Sequence, residues 1–222
     1  MKYLTPLSLF IIIFPFLVFS NNVSDELFFN VYRNDSKIGY HKLKIQNNKN
    51  TTSSEIEIKF EVTFLGFVLY DYYHFNSEKW KENTLISMAA KTNKNGDELF
   101  CNLEKKDDSF LINGSIGNKF LDKKITPTTY WKYDQLITGE KNKIVLNSQD
   151  CSFIEFKIED LGKEKIYDSV IANHFKLTGK EVTGDDVNID IWYYKERWIK
   201  MIFLKDGSKI EYFLAEYDNE EK

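Results

Sequence analysis

Between Glu55 and Phe64 the chain alternates without a slip. Ile56, Ile58, Phe60, Val62 and Phe64 interleave with Glu55, Glu57, Lys59, Glu61 and Thr63. A period of two puts one set on each face of a β-strand, so one face is buried and the other wet. The rest of the chain repeats this theme in short runs: Leu27–Asn34, Ile38–Gln46, Phe67–Phe75, Leu85–Thr92, Glu98–Glu104, Phe110–Ile116 and Lys119–Asp122. After a break come Lys143–Leu146, Cys151–Ile158, Glu164–Asp168, Ala172–Gly179, Asn188–Tyr194, Trp198–Leu204 and Lys209–Leu214. Turn chemistry separates them, for example Asn34-Asp35-Ser36-Lys37, Asn93-Lys94-Asn95-Gly96, Lys195-Glu196-Arg197 and Asp206-Gly207. No long segment has the helical period. Doubly wound and helical folds are excluded, and about a dozen antiparallel strands are expected. The break, Thr126–Gly139, contains Pro127, Tyr130 and Trp131 and admits one short helix near residues 130–137.

A half-buried sheet with almost no helix to cover it must curl on itself or meet a second sheet. Gly66 interrupts the apolar run between Phe64 and Phe67, as a bulge or sharp bend does. The expected fold is all-β: a single strongly curved antiparallel sheet or half-open barrel, with a sandwich as second choice.

Residues 1–20 are expected to be a signal peptide. A lysine at position 2 precedes an apolar run from Leu7 to Phe19, and Val18-Phe19-Ser20 offers a cleavage site. The run is short for a membrane span, and Pro6 and Pro15 weaken a continuous helix. Residues 21–222, even in composition and without linker or repeat, read as a single β domain. The expected location is periplasmic or secreted, after cleavage near Ser20. A net charge of −4 argues against a nucleic-acid partner. An oxidising compartment permits a bridge between Cys101 and Cys151, and two separate buried thiols fit the sequence equally well.

An ordered series of motifs links the chain to a known family. Tyr32 and Gly39 are followed by Leu65-Gly66-Phe67, Tyr70, Tyr72, His74, Glu78 and Trp80, then Thr92-Asn93 and Gly96. Pro127-Thr128-Thr129-Tyr130-Trp131, Ile191-Trp192-Tyr193, Trp198, Tyr212 and Leu214 complete it. In this order they resemble an uncharacterised family of proteobacterial secreted proteins, domain-of-unknown-function family 6134. Lys195-Glu196-Arg197 departs from the looser Asp/Gly turn expected there. The closing pattern of Trp-Tyr, turn, apolar strand, Asp-Gly and Tyr-bearing strand is also similar to periplasmic lipoprotein carriers of the LolA/LppX kind. That likeness implies a curved, half-open barrel with an apolar cavity.

The residues themselves contain no nucleophile elbow, metalloprotease motif, Cys-x-x-Cys pair or phosphate loop. No metal site and no cofactor are expected, and the chain reads as non-enzymatic. His41 shares a face with Gly39, Leu43 and Ile45 and reads as core; His174 reads as solvated. Asp107-Asp108 and Asp185-Asp186 read as turn formers. Glu78 and Trp80 read as packing at a strand end.

Aromatics are 16% of the chain. In Phe67–Phe75 both faces are apolar or aromatic, Phe67, Leu69, Tyr73 and Phe75 on one and Val68, Tyr70, Tyr72 and His74 on the other, so both need cover. One is expected to face an interior and the other a helix, a partner or a ligand. Tyr70, Tyr72 and His74 are the candidate ligand contacts, with Tyr130 and Trp131 as a lid. Arg33 and Arg197 are the candidate grips on a polar head group. The expected function is burial of an apolar or amphipathic small molecule, a lipid or lipoprotein acyl chain, in the concavity of the sheet by a monomer. The alternative is an envelope assembly or glycan/protein-binding module displaying exposed Trp and Tyr, a reading that exposure of Trp80, Trp192 or Trp198 in a flat patch would favour.

Overall fold

A computed structural model describes residues 23–205 and 207–217. The signal-peptide reading of residues 1–20 lies outside the described residues. The strands in chain order are β1 (Val23–Arg33), β2 (Ser36–Asn48), β3 (Thr51–Phe64), β4 (Phe67–Lys81), β5 (Thr84–Lys94), β6 (Asp97–Lys106), β7 (Ser109–Gly114) and β8 (Gly117–Leu121). They continue with β9 (Thr126–Pro127), one short helix α1 (Tyr133–Leu136), β10 (Asn142–Leu146), β11 (Phe153–Ile166), β12 (Val170–Lys180), β13 (Asp186–Tyr194), β14 (Arg197–Lys205) and β15 (Ser208–Leu214).

All fifteen strands form one sheet, ordered β8-β7-β6-β5-β4-β3-β2-β1-β15-β14-β13-β12-β11-β10-β9. Two meanders fan out from the central pair, β1 against β15, where Val31 lies opposite Tyr212. Every pairing is antiparallel except β9 with β10. The sheet is strongly curved and does not close into a barrel. Its two wings nevertheless meet. Cys101 of β6 and Cys151, at the head of β11, form a disulfide with Cα atoms 4.9 Å apart. Gly114 allows this approach, because a Cβ there would sit 2.3 Å from the Cys151 Cβ. Gly39 does the same between β2 and β3: its Cβ would lie 1.9 Å from the Lys59 carbonyl oxygen.

Several strand expectations need correction. Cys151–Ile158 and Glu164–Asp168 are parts of a single strand, β11. The charged stretch between them hides the continuity, but Gly162, at φ 87°, forms a bulge that keeps β11 paired with β12. β4 runs on from Phe75 to Lys81, with Asn76 and Glu78 pointing into the core. Polar side chains at core positions break the pattern that a periodicity reading follows. β9 is too short to leave a pattern.

The concave face is a packed core. Phe29, Leu43, Ile56, Trp80, Phe156, Leu177, Tyr193 and Trp198 have essentially no exposed surface. Burial is organised in two clusters, one centred on Phe29 and Trp198 and the other on Trp80, Leu103 and Ile112. Trp131 packs against both.

Candidate binding site

Two regions compete for the role of binding site. The first is the concavity. Thr128–Trp131 lies across it as a strap, and Tyr130 takes a left-handed φ of 61°. The Tyr193 hydroxyl donates to the Tyr130 carbonyl at 2.7 Å, and the Tyr130 ring packs on Trp198. The Trp131 indole N–H donates to Glu78 Oε2 at 3.0 Å. The same oxygen accepts from the Trp80 indole at 2.9 Å and the Ser54 hydroxyl at 3.0 Å, while Asn76 Nδ2 donates to Oε1. Burial raises the Glu78 carboxyl above the usual range, and the hydrogen bonds from Trp80, Trp131 and Ser54, with Thr129, work against that rise. Glu78 therefore anchors the strap.

Tyr72 and His74 lie beneath it. Tyr72 stacks on Phe60, ring centroids 4.7 Å apart. His74 Nδ1 pairs with the Thr92 hydroxyl at 2.8 Å and Nε2 faces the Ser148 hydroxyl at 3.5 Å. Burial pushes the imidazole down to about 4. His41, also buried, packs between Phe29, Trp198 and Tyr212; both its nitrogens lack partners, and burial followed by the nearby His74 pulls it to about 3. Tyr72, Tyr130 and Tyr212 are all raised, first by burial; neighbouring tyrosines add to the rise at Tyr72 and Tyr212, and Glu181 adds to it at Tyr130. Five of the seven sequence-nominated residues, Tyr70, Tyr72, His74, Tyr130 and Trp131, thus gather on the concave side. Tyr72 and His74 are packed against their neighbours, while Tyr70, Tyr130 and Trp131 are part-buried.

The two arginines are elsewhere. Arg33 Nε donates to the Ser208 hydroxyl at 2.9 Å. Arg197 pairs with Glu216 at 2.6 Å and Asp25 at 3.8 Å. It shares with Trp131 the wall of a surface cavity of about 230 Å³ that also touches Leu27, Ile45 and Trp198. His174 is not simply solvated: its nitrogens lie 2.9 Å from Glu164 and 2.9 Å from Asp190, and its ring stacks on Trp192. The exposed platforms are also corrected. Trp80 and Trp198 are buried in the core clusters, and Trp192 is buried on its own strand face under the His174 ring and the Lys200 ammonium, with its indole N–H donating to Glu164 at 2.9 Å.

The second region is the β3–β4 hairpin. Pairing of β2 with β3 stops at Gly39 opposite Phe60, and pairing of β4 with β5 stops at Tyr72 opposite Lys94. One further bond, from the Asn95 N–H to the Asp71 carbonyl, closes that flank. Beyond it, among the described residues, β3 and β4 pair only with each other, from Glu61 opposite Asp71 to Phe64 opposite Phe67. A two-stranded ribbon therefore projects from the sheet by about 15 Å at the usual strand rise. Leu69 is the extra residue of a bulge between Val62 and Thr63. Phe64, Leu65, Phe67, Val68 and Leu69 are between 55% and 81% exposed. Outward-facing Tyr73 and Phe75 continue the apolar surface down β4. The two-residue turn is Leu65-Gly66, at φ 49° and 82°. Such turns favour Asn-Gly, and a left-handed backbone costs an ordinary residue about 1 kcal/mol or more. The comparable turns use Asn34-Asp35, Asn95-Gly96 and Lys195-Glu196; Leu65 is the one aliphatic side chain at positive φ among the described residues.

The sequence reading found that both faces of Phe67–Phe75 are apolar. It missed that the neighbouring strands stop short, which leaves this stretch bare. Gly66, expected as a bulge or sharp bend, is instead the second residue of the Leu65-Gly66 hairpin turn.

Fold and relatives define the class: a β-barrel-like protein built from one curved sheet. The crystal structure of a beta-barrel-like protein of domain of unknown function DUF1849 from Brucella abortus is similar to it, with a TM-score of 0.64 at 10% identity, covering 88% of this chain and 97% of that one. No curated protein matches by sequence. The model of the family described as domain of unknown function DUF6134 matches residues 29–215, and the chain belongs to that family. Among the described residues no group of three or more His, Cys, Asp or Glu side chains converges as a metal site would require.

Proposed function

We propose that this is a secreted, non-enzymatic binding protein that engages an apolar or amphipathic ligand through the β3–β4 ribbon rather than in the concavity. The observation that carries the reading is the bare ribbon, with Phe64, Leu65, Phe67, Val68 and Leu69 held in water at its tip. Monomeric soluble proteins rarely leave so continuous an apolar surface without a use for it. The Cys101–Cys151 bridge supports an extracytoplasmic location. The packed interior favours a surface contact, since an acyl chain would have to displace both the strap and Tyr72.

The test is a titration with monomeric dodecylphosphocholine, followed by amide NMR shifts. Shifts confined to residues 61–71 are expected. Shifts centred on Tyr72, His74 and the Tyr130–Trp131 strap would return the ligand to the concavity. No shifts would defeat both forms of the reading.

A further inference from the structure

The geometry points to a lipid bilayer surface as the partner of the ribbon, with the Leu65-Gly66 tip entering the headgroup and acyl boundary. This rests on the reading of the ribbon as the contact site and names what it contacts.

The charge pattern marks a depth. The run Val62–Tyr70 has no charged residue, and its base is closed by Glu61 opposite Asp71. These carboxylates resist leaving water, so they set the limit of entry. The backbone sets the same limit. Among the described residues, no strand pairs with either flank of the ribbon beyond Phe60 and Asp71. Unpaired peptide groups exclude the ribbon from the hydrocarbon centre and restrict it to the outer layer, about 5–10 Å deep.

Other occupants fit less well. A partner strand would add along an edge and leave both apolar faces wet. A second copy of this chain would cover one face. The five tip side chains expose on the order of 600 Å² in all at the usual areas of such residues. A face-to-face dimer through one side would then bury roughly 600 Å² over both partners, and roughly 900 Å² with Tyr73 and Phe75 included, still short of the ~1,000 Å² of a stable interface. A lipid interface surrounds the ribbon on all sides. The turn agrees with this: an aliphatic residue occupies a backbone position that asparagine would hold with less strain.

The experiment is co-sedimentation of the protein, as the cell processes it, with dioleoylphosphatidylcholine vesicles and with vesicles of equal phosphatidylcholine and phosphatidylglycerol. The comparison is Leu65→Asn/Phe67→Ser, both exposed positions, with circular dichroism and the thermal midpoint as checks that the fold persists. Wild type should bind both vesicle types, and the double variant should partition at least about ten-fold more weakly. Absence of binding to either vesicle, with dodecylphosphocholine monomers still shifting residues 61–71, would overturn the bilayer while leaving the ribbon as a binding site. Equal binding by wild type and variant would overturn it as well, because the contact would then lie elsewhere.

Discussion

Replacing His41 with phenylalanine should make the protein both more stable and less sensitive to acid. His41 is 3% exposed, and its ring packs against Phe29, Trp198 and Tyr212, so a phenyl ring fits the same surroundings. Both imidazole nitrogens are buried without partners. Removing such orphaned groups should gain about 1–3 kcal/mol at neutral pH. The acid response follows from linkage. His41 is lowered from 6.5 to about 3, so the neutral ring is favoured by folding. Its contribution is complete above pH 6.5 and is lost as the pH falls through the folded value near 3. The full loss is about 5 kcal/mol, of which about 3 is gone by pH 4. His74, lowered to about 4, adds a further loss of about 3 kcal/mol over its own range. Together these approach the whole stability of an ordinary domain. Between pH 6 and 4.5 the two histidines give a slope of about 2 kcal/mol per pH unit, and His41→Phe should roughly halve it. Urea unfolding followed by tryptophan fluorescence at stepped pH measures both quantities. An unchanged slope, or a variant less stable at pH 7, would refute the argument that His41 is held neutral and unpartnered.

Glu78 should act with the opposite sign. Its carboxyl is raised by burial, so its contribution is largest below the ordinary carboxylate range and declines as pH rises through the folded value. Glu78→Gln should flatten that decline at little cost, since Asn76 Oδ1 is free to accept the new amide once Asn76 flips. Glu78→Leu should cost about 3 kcal/mol or more by orphaning the Trp80, Trp131 and Ser54 donors, read by denaturant midpoints. Reducing the Cys101–Cys151 bridge, or replacing both residues by alanine, should cost about 4 kcal/mol, the loop entropy for a separation of 50 residues; calorimetry with and without reductant would measure it. Leu65→Asn should raise stability by about 1 kcal/mol by relieving the turn, while weakening ligand binding, a trade expected where a residue serves function instead of folding.

Much of the fold was legible because period-two patterning is a local property. Glu55–Phe64 is the clearest instance as a strand, although the end of its apolar face, Phe64, is exposed on the ribbon instead of buried; the curvature followed from having little helix to cover the sheet. What stayed hidden depends on register and on contacts between distant segments. Nothing local tells that β2 and β5 end before the tip of β3–β4, yet that difference converts an apolar strand pair into a projecting ribbon. The Cys101–Cys151 bridge needed the wings to meet, and no spacing in the chain encodes the approach that Gly114 allows. Glu78 was legible as packing but not as the anchor of the strap, since its donors come from β3, β4 and the Thr128–Trp131 segment. The aromatic wealth was read as a cavity lining because rings that fill a core and rings that line a pocket have the same sequence pattern.

The central claim is that an amphipathic ligand meets the ribbon and not the concavity. Paramagnetic broadening by a spin-labelled stearate, read over all amides and the tryptophan indoles, separates the two most directly. Broadening should be strongest from Val62 to Tyr70 and should spare the indoles of Trp80 and Trp198. Strong broadening at those indoles and at His41, with the Leu65-Gly66 tip untouched, would contradict the account.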